Sequence, residues 1–158
     1  MDVAEEARGK GVGVPLDEET AVLPIGQGEV LHDGTDLAIV ALGATVHPAL
    51  AAARRLAEEG IGVRVINARF IKPLDAELLL ATAAATDKML TVEENVLAGG
   101  FGSAVLELFA ENGVAGVQVR RLGIRDRFVE HATQAELRAI HGIDEAGILA
   151  AAGEMLRR

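Results

Sequence analysis

Residues 37–68 read LAIVALGATVHPALAAARRLAEEGIGVRVINA, and this stretch decides the fold class. Leu37 to Leu42 form an almost unbroken apolar run, as expected of a strand covered on both faces. Pro48 suits the first turn of a helix whose Leu50, Ala53, Leu56 and Ala57 share a face, and Gly60 stops it. Val63 to Asn67 then carry β-branched residues in alternation, the mark of a second strand. A strand, a helix and another strand in this order predict a parallel pair joined by a helical crossover.

The same rhythm continues outward. Asp75 is placed to cap a helix over the AELLLATAAA stretch, KMLTVEE reads as a strand, and FGSAVLELFAENG as a helix ending at Asn112-Gly113. VQVRRLGI gives another strand, and the tail gives two helical segments with Thr133 and Asp144 as caps. Upstream, Asp33-Gly34 separates EVLH from the Leu37 strand, which suggests a hairpin-like turn and an antiparallel edge strand. The expected fold is therefore α/β: a three-layer α/β/α arrangement with a mostly parallel sheet of about five strands and one antiparallel edge strand. Residues 1–28, rich in Gly and Pro, read as an extended lead-in, and residues 29–158 as the folded domain.

Composition narrows the function. Half of the 158 residues are hydrophobic but only 3% are aromatic, so small aliphatic side chains must do the packing. There is no cysteine, hence no disulfide framework and no thiolate nucleophile or ligand. A net charge of −9 disfavours nucleic acid. No apolar run approaches the roughly 20 residues that span a bilayer. The start has neither the charge order nor the apolar core of a secretory signal, so a cytoplasmic location is expected.

In an α/β fold the carboxyl ends of the strands form the functional edge. That edge should carry Gly43-Ala44-Thr45, Asn67-Ala68-Arg69, Glu93-Glu94-Asn95 and Gly123-Ile124-Arg125. Glu93 and Glu94 suggest an acid or base, yet neighbours at a strand end point to opposite faces and do not make a facing pair. The turn Gly99, Gly100, Gly102 and Ser103 opens a helix, where freed amides attract anions. It matches neither a dinucleotide fingerprint nor a Walker loop, and close packing is the expected role, with anion or nucleotide binding as the alternative. Arg69, Arg120, Arg121 and Arg125 could grip the acidic groups of a partner, or pair internally with Glu93, Glu94 or Asp126. His32, His47, His131 and His141 show no metal-ligand spacing, and the lone serine, Ser103, lies in no nucleophile elbow. The residues thus yield no self-contained catalytic set and no metal site.

Taken together, RGKGVGVPL, LPIGQGEVLHDG, NARFIKPLD, TVEENVLAGGFGSAV and LGIRDRFVEHATQAELRAIHGID resemble the carboxyl-terminal, transketolase-type domain of the 1-deoxy-D-xylulose-5-phosphate synthases. The resemblance runs in order from about Arg8 to the end; single pieces of it also occur in transketolases and in the beta subunits of 2-oxo-acid dehydrogenases. It implies a parent enzyme dependent on thiamine diphosphate and magnesium, working as a homodimer. That enzyme joins decarboxylated pyruvate to glyceraldehyde 3-phosphate for isoprenoid, thiamine and pyridoxal synthesis. The family places its cofactor motif and its activating glutamate in two other domains of the same polypeptide, and neither motif occurs here. This chain by itself is therefore expected to be inactive, to bind no cofactor and to support the dimer. In the family a Tyr-Pro-Arg-Gly element binds the aldehyde's phosphate, and Arg8-Gly9 matches its second half. Glu5, Glu6 and Ala7 depart from the pattern there, so Arg8 alone is not expected to hold phosphate.

Overall fold

The computed structural model describes residues 22–157, so Arg8 and most of the lead-in lie outside the described residues. Five strands, β1 (Glu29–His32), β2 (Leu37–Ala41), β3 (Val63–Asn67), β4 (Lys88–Val96) and β5 (Gln118–Ile124), form one sheet in the order β1-β3-β2-β4-β5. All neighbours are parallel except β1, which runs antiparallel to β3 at the edge. The five strands include the antiparallel one. The helices are α1 (Val46–Glu58), α2 (Ala76–Ala85), α3 (Phe101–Glu111), α4 (Gln134–His141) and α5 (Glu145–Leu156), and a single 3-10 turn, Gly43–Thr45, precedes α1.

Strand alternation sorts the core into two layers. Leu37, Ile39, Val63, Val65, Leu90 and Val92 pack against α1 and α5, while Ala38, Val40, Ile66 and Met89 pack against α2 and α3. β2 is buried along its whole length, which is why its sequence is apolar without a break. α1 buries Val46, Ala49, Ala52, Ala53 and Leu56. Its inward face is thus turned slightly from the expected one, with Leu50 half-buried and Ala57 exposed, because it packs on α5 as well as on the sheet. Asp75, Thr133 and Asp144 cap α2, α4 and α5 through the amides of Leu78, Glu136 and Gly147.

The hairpin expected at Asp33-Gly34 does not form. β1 and β2 are not neighbours: β3 lies between them, and the link crosses the start of β3. The Asp36 amide donates to Gly62 O (2.8 Å) and the Gly62 amide returns to Asp36 Oδ2 (2.6 Å). A Cβ at Gly34 would lie 2.4 Å from Gly62 C and Val63 N, so this glycine serves a backbone crossing instead of a two-residue turn. Arg64 donates to Asp33 Oδ1 (2.9 and 2.7 Å) and holds that carboxyl below its usual range.

Candidate functional site

The carboxyl edge of the sheet is organised by one carboxylate. Glu93 is completely buried near the end of β4. The Phe101 amide donates to its Oε2 (2.7 Å) and the Gly102 amide to its Oε1 (2.8 Å). These are first-turn amides of α3, which have no acceptor within the helix, and the helix dipole favours negative charge there. No side chain of the N-cap residue, Gly100, could do this work. Glu93 therefore caps α3 from the neighbouring strand. The anion that the Gly99–Ser103 turn attracts is supplied by the fold itself.

The glycines follow from that contact. A Cβ at Gly100 would lie 2.3 Å from both Glu93 Oε2 and Val96 O. One at Gly102 would lie 2.6 Å from Thr91 Oγ1 and 2.8 Å from Arg121 Cδ. Thr91 Oγ1 is buried against this turn without a hydrogen-bond partner among the described residues. Between Val92 and Val96 the pairing with β5 shifts register, which carries the chain from the buried Glu93 into the turn.

Ser103 and Arg121 close the outer side. Ser103 Oγ donates to Leu97 O (2.8 Å) and accepts from the Gly99 amide (3.1 Å). Arg121 donates to Leu97 O and to Ser103 Oγ, both at 2.8 Å. Beside this turn lies a cleft of about 270 Å³ whose wall includes Ile71, Asn95, Ala98 and Gly99.

Alternation along β4 sends Glu94 the other way, to the layer of α4, where it accepts from Arg138 Nε (2.7 Å). The two adjacent glutamates thus serve different helices. The four arginines are likewise dispersed. Arg69, at φ +56° in the turn after β3, pairs with Glu29, and Arg120 pairs with Glu154 on α5. Arg121 points to the α3 layer, and Arg125 is exposed after β5. Neither ion pair involves Glu93, Glu94 or Asp126, the partners the sequence suggested; Glu94 instead takes Arg138, 44 residues away and too distant in sequence to be inferred.

α4 differs from the other helices in burying none of its residues fully. Its amino end is fixed locally: Thr133 Oγ1 and the Thr133 amide donate to Glu136 Oε2 (2.7 and 2.9 Å) and hold that carboxyl below its usual range. Among the described residues no group of three or more His, Asp or Glu side chains could hold a metal ion. Glu93 is fully buried with each oxygen already accepting a helix amide, so it presents no carboxylate surface to an aminopyrimidine or a metal. Among the described residues, then, neither this carboxylate nor a cluster of acids is placed to meet thiamine diphosphate or magnesium. No helix among them is long and apolar enough to cross a membrane.

The chain is similar to known proteins in both sequence and fold. Residues 26–148 match the family model for the transketolase C-terminal domain. The 1-deoxy-D-xylulose-5-phosphate synthase of Syntrophus aciditrophicus (strain SB) is 60% identical over 149 residues, 94% of this chain and 23% of that protein. Synthase 1 of Geobacter sulfurreducens is 61% identical over 144 residues, 91% of this chain and again 23% of the relative. The chain thus spans about a quarter of the length of the curated relatives it matches. A solved structure described as a split gene transketolase, an inactive beta4 tetramer, superposes with a TM-score of 0.80 at 37% identity, covering 93% of this chain and 47% of that one.

Proposed function

The chain belongs to the transketolase C-terminal domain family, and on that premise we propose that it serves as the carboxyl-terminal domain of a 1-deoxy-D-xylulose-5-phosphate synthase. The observation that carries the reading is the identity of 60% sustained over 149 residues of a synthase. In such an enzyme, pyruvate and glyceraldehyde 3-phosphate would react on thiamine diphosphate and magnesium held by other domains of a cytoplasmic homodimer. The neighbouring split transketolase, described as a tetramer of one chain type, supports assembly from like copies.

Within that enzyme this domain's part is structural. The buried carboxylate at the sheet's functional edge is spent on capping α3, and the arginines nearest it bind backbone and neighbouring acids. The chain alone makes no product and binds thiamine diphosphate no better than background. Two experiments test this. A chimera in which this chain replaces the matching segment of the Syntrophus synthase should retain product formation; a folded but inactive chimera would refute the assignment. Calorimetric titration of thiamine diphosphate and magnesium into the chain should give no saturable heat, and micromolar binding would refute the structural role.

A further inference from the structure

The carboxyl end of α3 brings together the two residues a backbone needs to modify itself. The chain holds three asparagines, Asn67, Asn95 and Asn112, and only Asn112 precedes a glycine. A glycine amide, with no Cβ beside it, is the least hindered nucleophile the backbone offers to the side chain before it. Asn112 is exposed, as are Ala110, Glu111 and Gly113, and a Cβ at Gly113 would meet nothing within 4 Å. The pair stands open to water.

The comparable positions are held back. The Ala68 amide is engaged by Ala41 O (2.9 Å), and Asn67 Oδ1 accepts from the Arg69 amide (3.1 Å). Asn95 lies within β4, before the β-branched Val96. Asp33-Gly34 has the same spacing, but an ionised carboxylate resists attack, and Arg64 holds Asp33 ionised. Gly34 is also pressed against Gly62.

With the helix end closed, Asn112 is protected too. Its Nδ2 donates to Leu108 O (2.8 Å), and the Gly113 amide donates to Ala110 O (3.3 Å). At an Asn112 ψ of 8° the Gly113 nitrogen eclipses the nitrogen of Asn112 and is turned away from its Cβ. Attack therefore needs the last turn of α3 to open, and exposed helix ends fray at little free-energy cost.

We propose that Asn112-Gly113 is a self-modification site of this domain, where fraying of α3 lets the asparagine convert to aspartate and isoaspartate. The Gly113 amide nitrogen attacks Asn112 Cγ and forms a new N–Cγ bond. The Cγ–Nδ2 bond breaks, the amide proton leaves with the side-chain nitrogen as ammonia, and a succinimide ring remains. Water opens that ring at either carbonyl, giving aspartate from one opening and isoaspartate from the other. Nothing is oxidised or reduced. Both products lose the donor to Leu108 O and place a negative charge at the carboxyl end of α3, where the helix dipole disfavours it. Isoaspartate also lengthens the main chain before Gly113, displacing the Val114 amide from Phe109 O (2.9 Å), and Val114 packs on the α2 and α3 core. The helix that Glu93 fixes at one end is thus loosened at the other.

The inference does not depend on the synthase assignment. Peptide mapping by mass spectrometry of the full chain, aged at mildly alkaline pH, should show aspartate and isoaspartate at Asn112, with Asn67, Asn95 and Asp33 intact. Because frayed ends open so readily, the rate should lie within about tenfold of that in the guanidinium-unfolded chain. Asn112→Gln should abolish the products over the same period, since its longer side chain closes a larger ring more slowly. Asn112→Asp, the first product made directly, should melt roughly 2–4 °C below wild type. An Asn112 that stays intact in the folded chain, or conversion as fast at Asn67 or Asn95, would overturn the proposal. An Asn112→Asp variant that melts at or above wild type would overturn the loosening of α3.

Discussion

Two strand ends of the same sheet were built to opposite rules. At the end of β4 three side chains close the turn: Glu93 takes two amides, Ser103 both donates and accepts, and Arg121 reaches two oxygens. At the end of β5 a phenylalanine stands in solvent and a helix buries nothing fully. The sequence had offered an acid or base at the first region and, at the second, only Arg125 as a group that could grip a partner. A closed polar network beside a glycine turn stabilises its own fold, whereas an open apolar face is what association requires. The difference separates residues that serve this domain from residues free to serve a partner.

The comparison can be broken from its closed side first. Gly100→Val should have the largest effect, since its Cβ would meet the Val96 carbonyl and the Glu93 carboxylate at 2.3 Å. A loss of about 3 kcal/mol is expected, read as a lower denaturant midpoint or insoluble protein. Full stability would mean the turn is looser than described. Arg121→Ala should cost less, roughly 1–2 kcal/mol, by removing one donor from Leu97 O and one from Ser103 Oγ in a half-buried site where each keeps another partner. An unchanged midpoint would remove Arg121 from the network.

The smallest effect belongs to the open side. Glu136 is held below its usual carboxylate range chiefly by the Thr133 hydroxyl, then by the Thr133 amide. Its folded value is depressed, so its stabilisation is complete above the ordinary value of about 4.5 and is lost as pH falls through the lower folded value. Glu136→Gln should therefore melt slightly below wild type at neutral pH, with the gap closing on acidification. A gap that widens in acid would contradict the capping box.

Much of the fold was legible because period and punctuation agree. The unbroken run Leu37–Leu42 announced a doubly covered strand, and Asp75, Thr133 and Asp144 announced helix starts. Strand order was not legible at Asp33-Gly34: the same dipeptide serves a hairpin or a crossing, and only the approach of Gly62 distinguishes them. At the candidate site, alternation alone foretold that Glu93 and Glu94 part company. Their partners were hidden, because Arg138 is 44 residues from Glu94 and the capping of α3 from β4 depends on the register shift after Val92. The exposure of Phe128 had no sequence signal, since a lone aromatic in a polar loop reads equally as anchor or surface.

The central claim is that the most conspicuous acid of this chain serves its architecture. Thermal unfolding of Glu93→Gln tests it most directly. Replacing a fully buried carboxylate that accepts two amides should cost about 2 kcal/mol, lowering the melting temperature by roughly 4–8 °C. A melting temperature equal to or above that of wild type would contradict the account, because residues kept for chemistry are commonly held at the expense of stability.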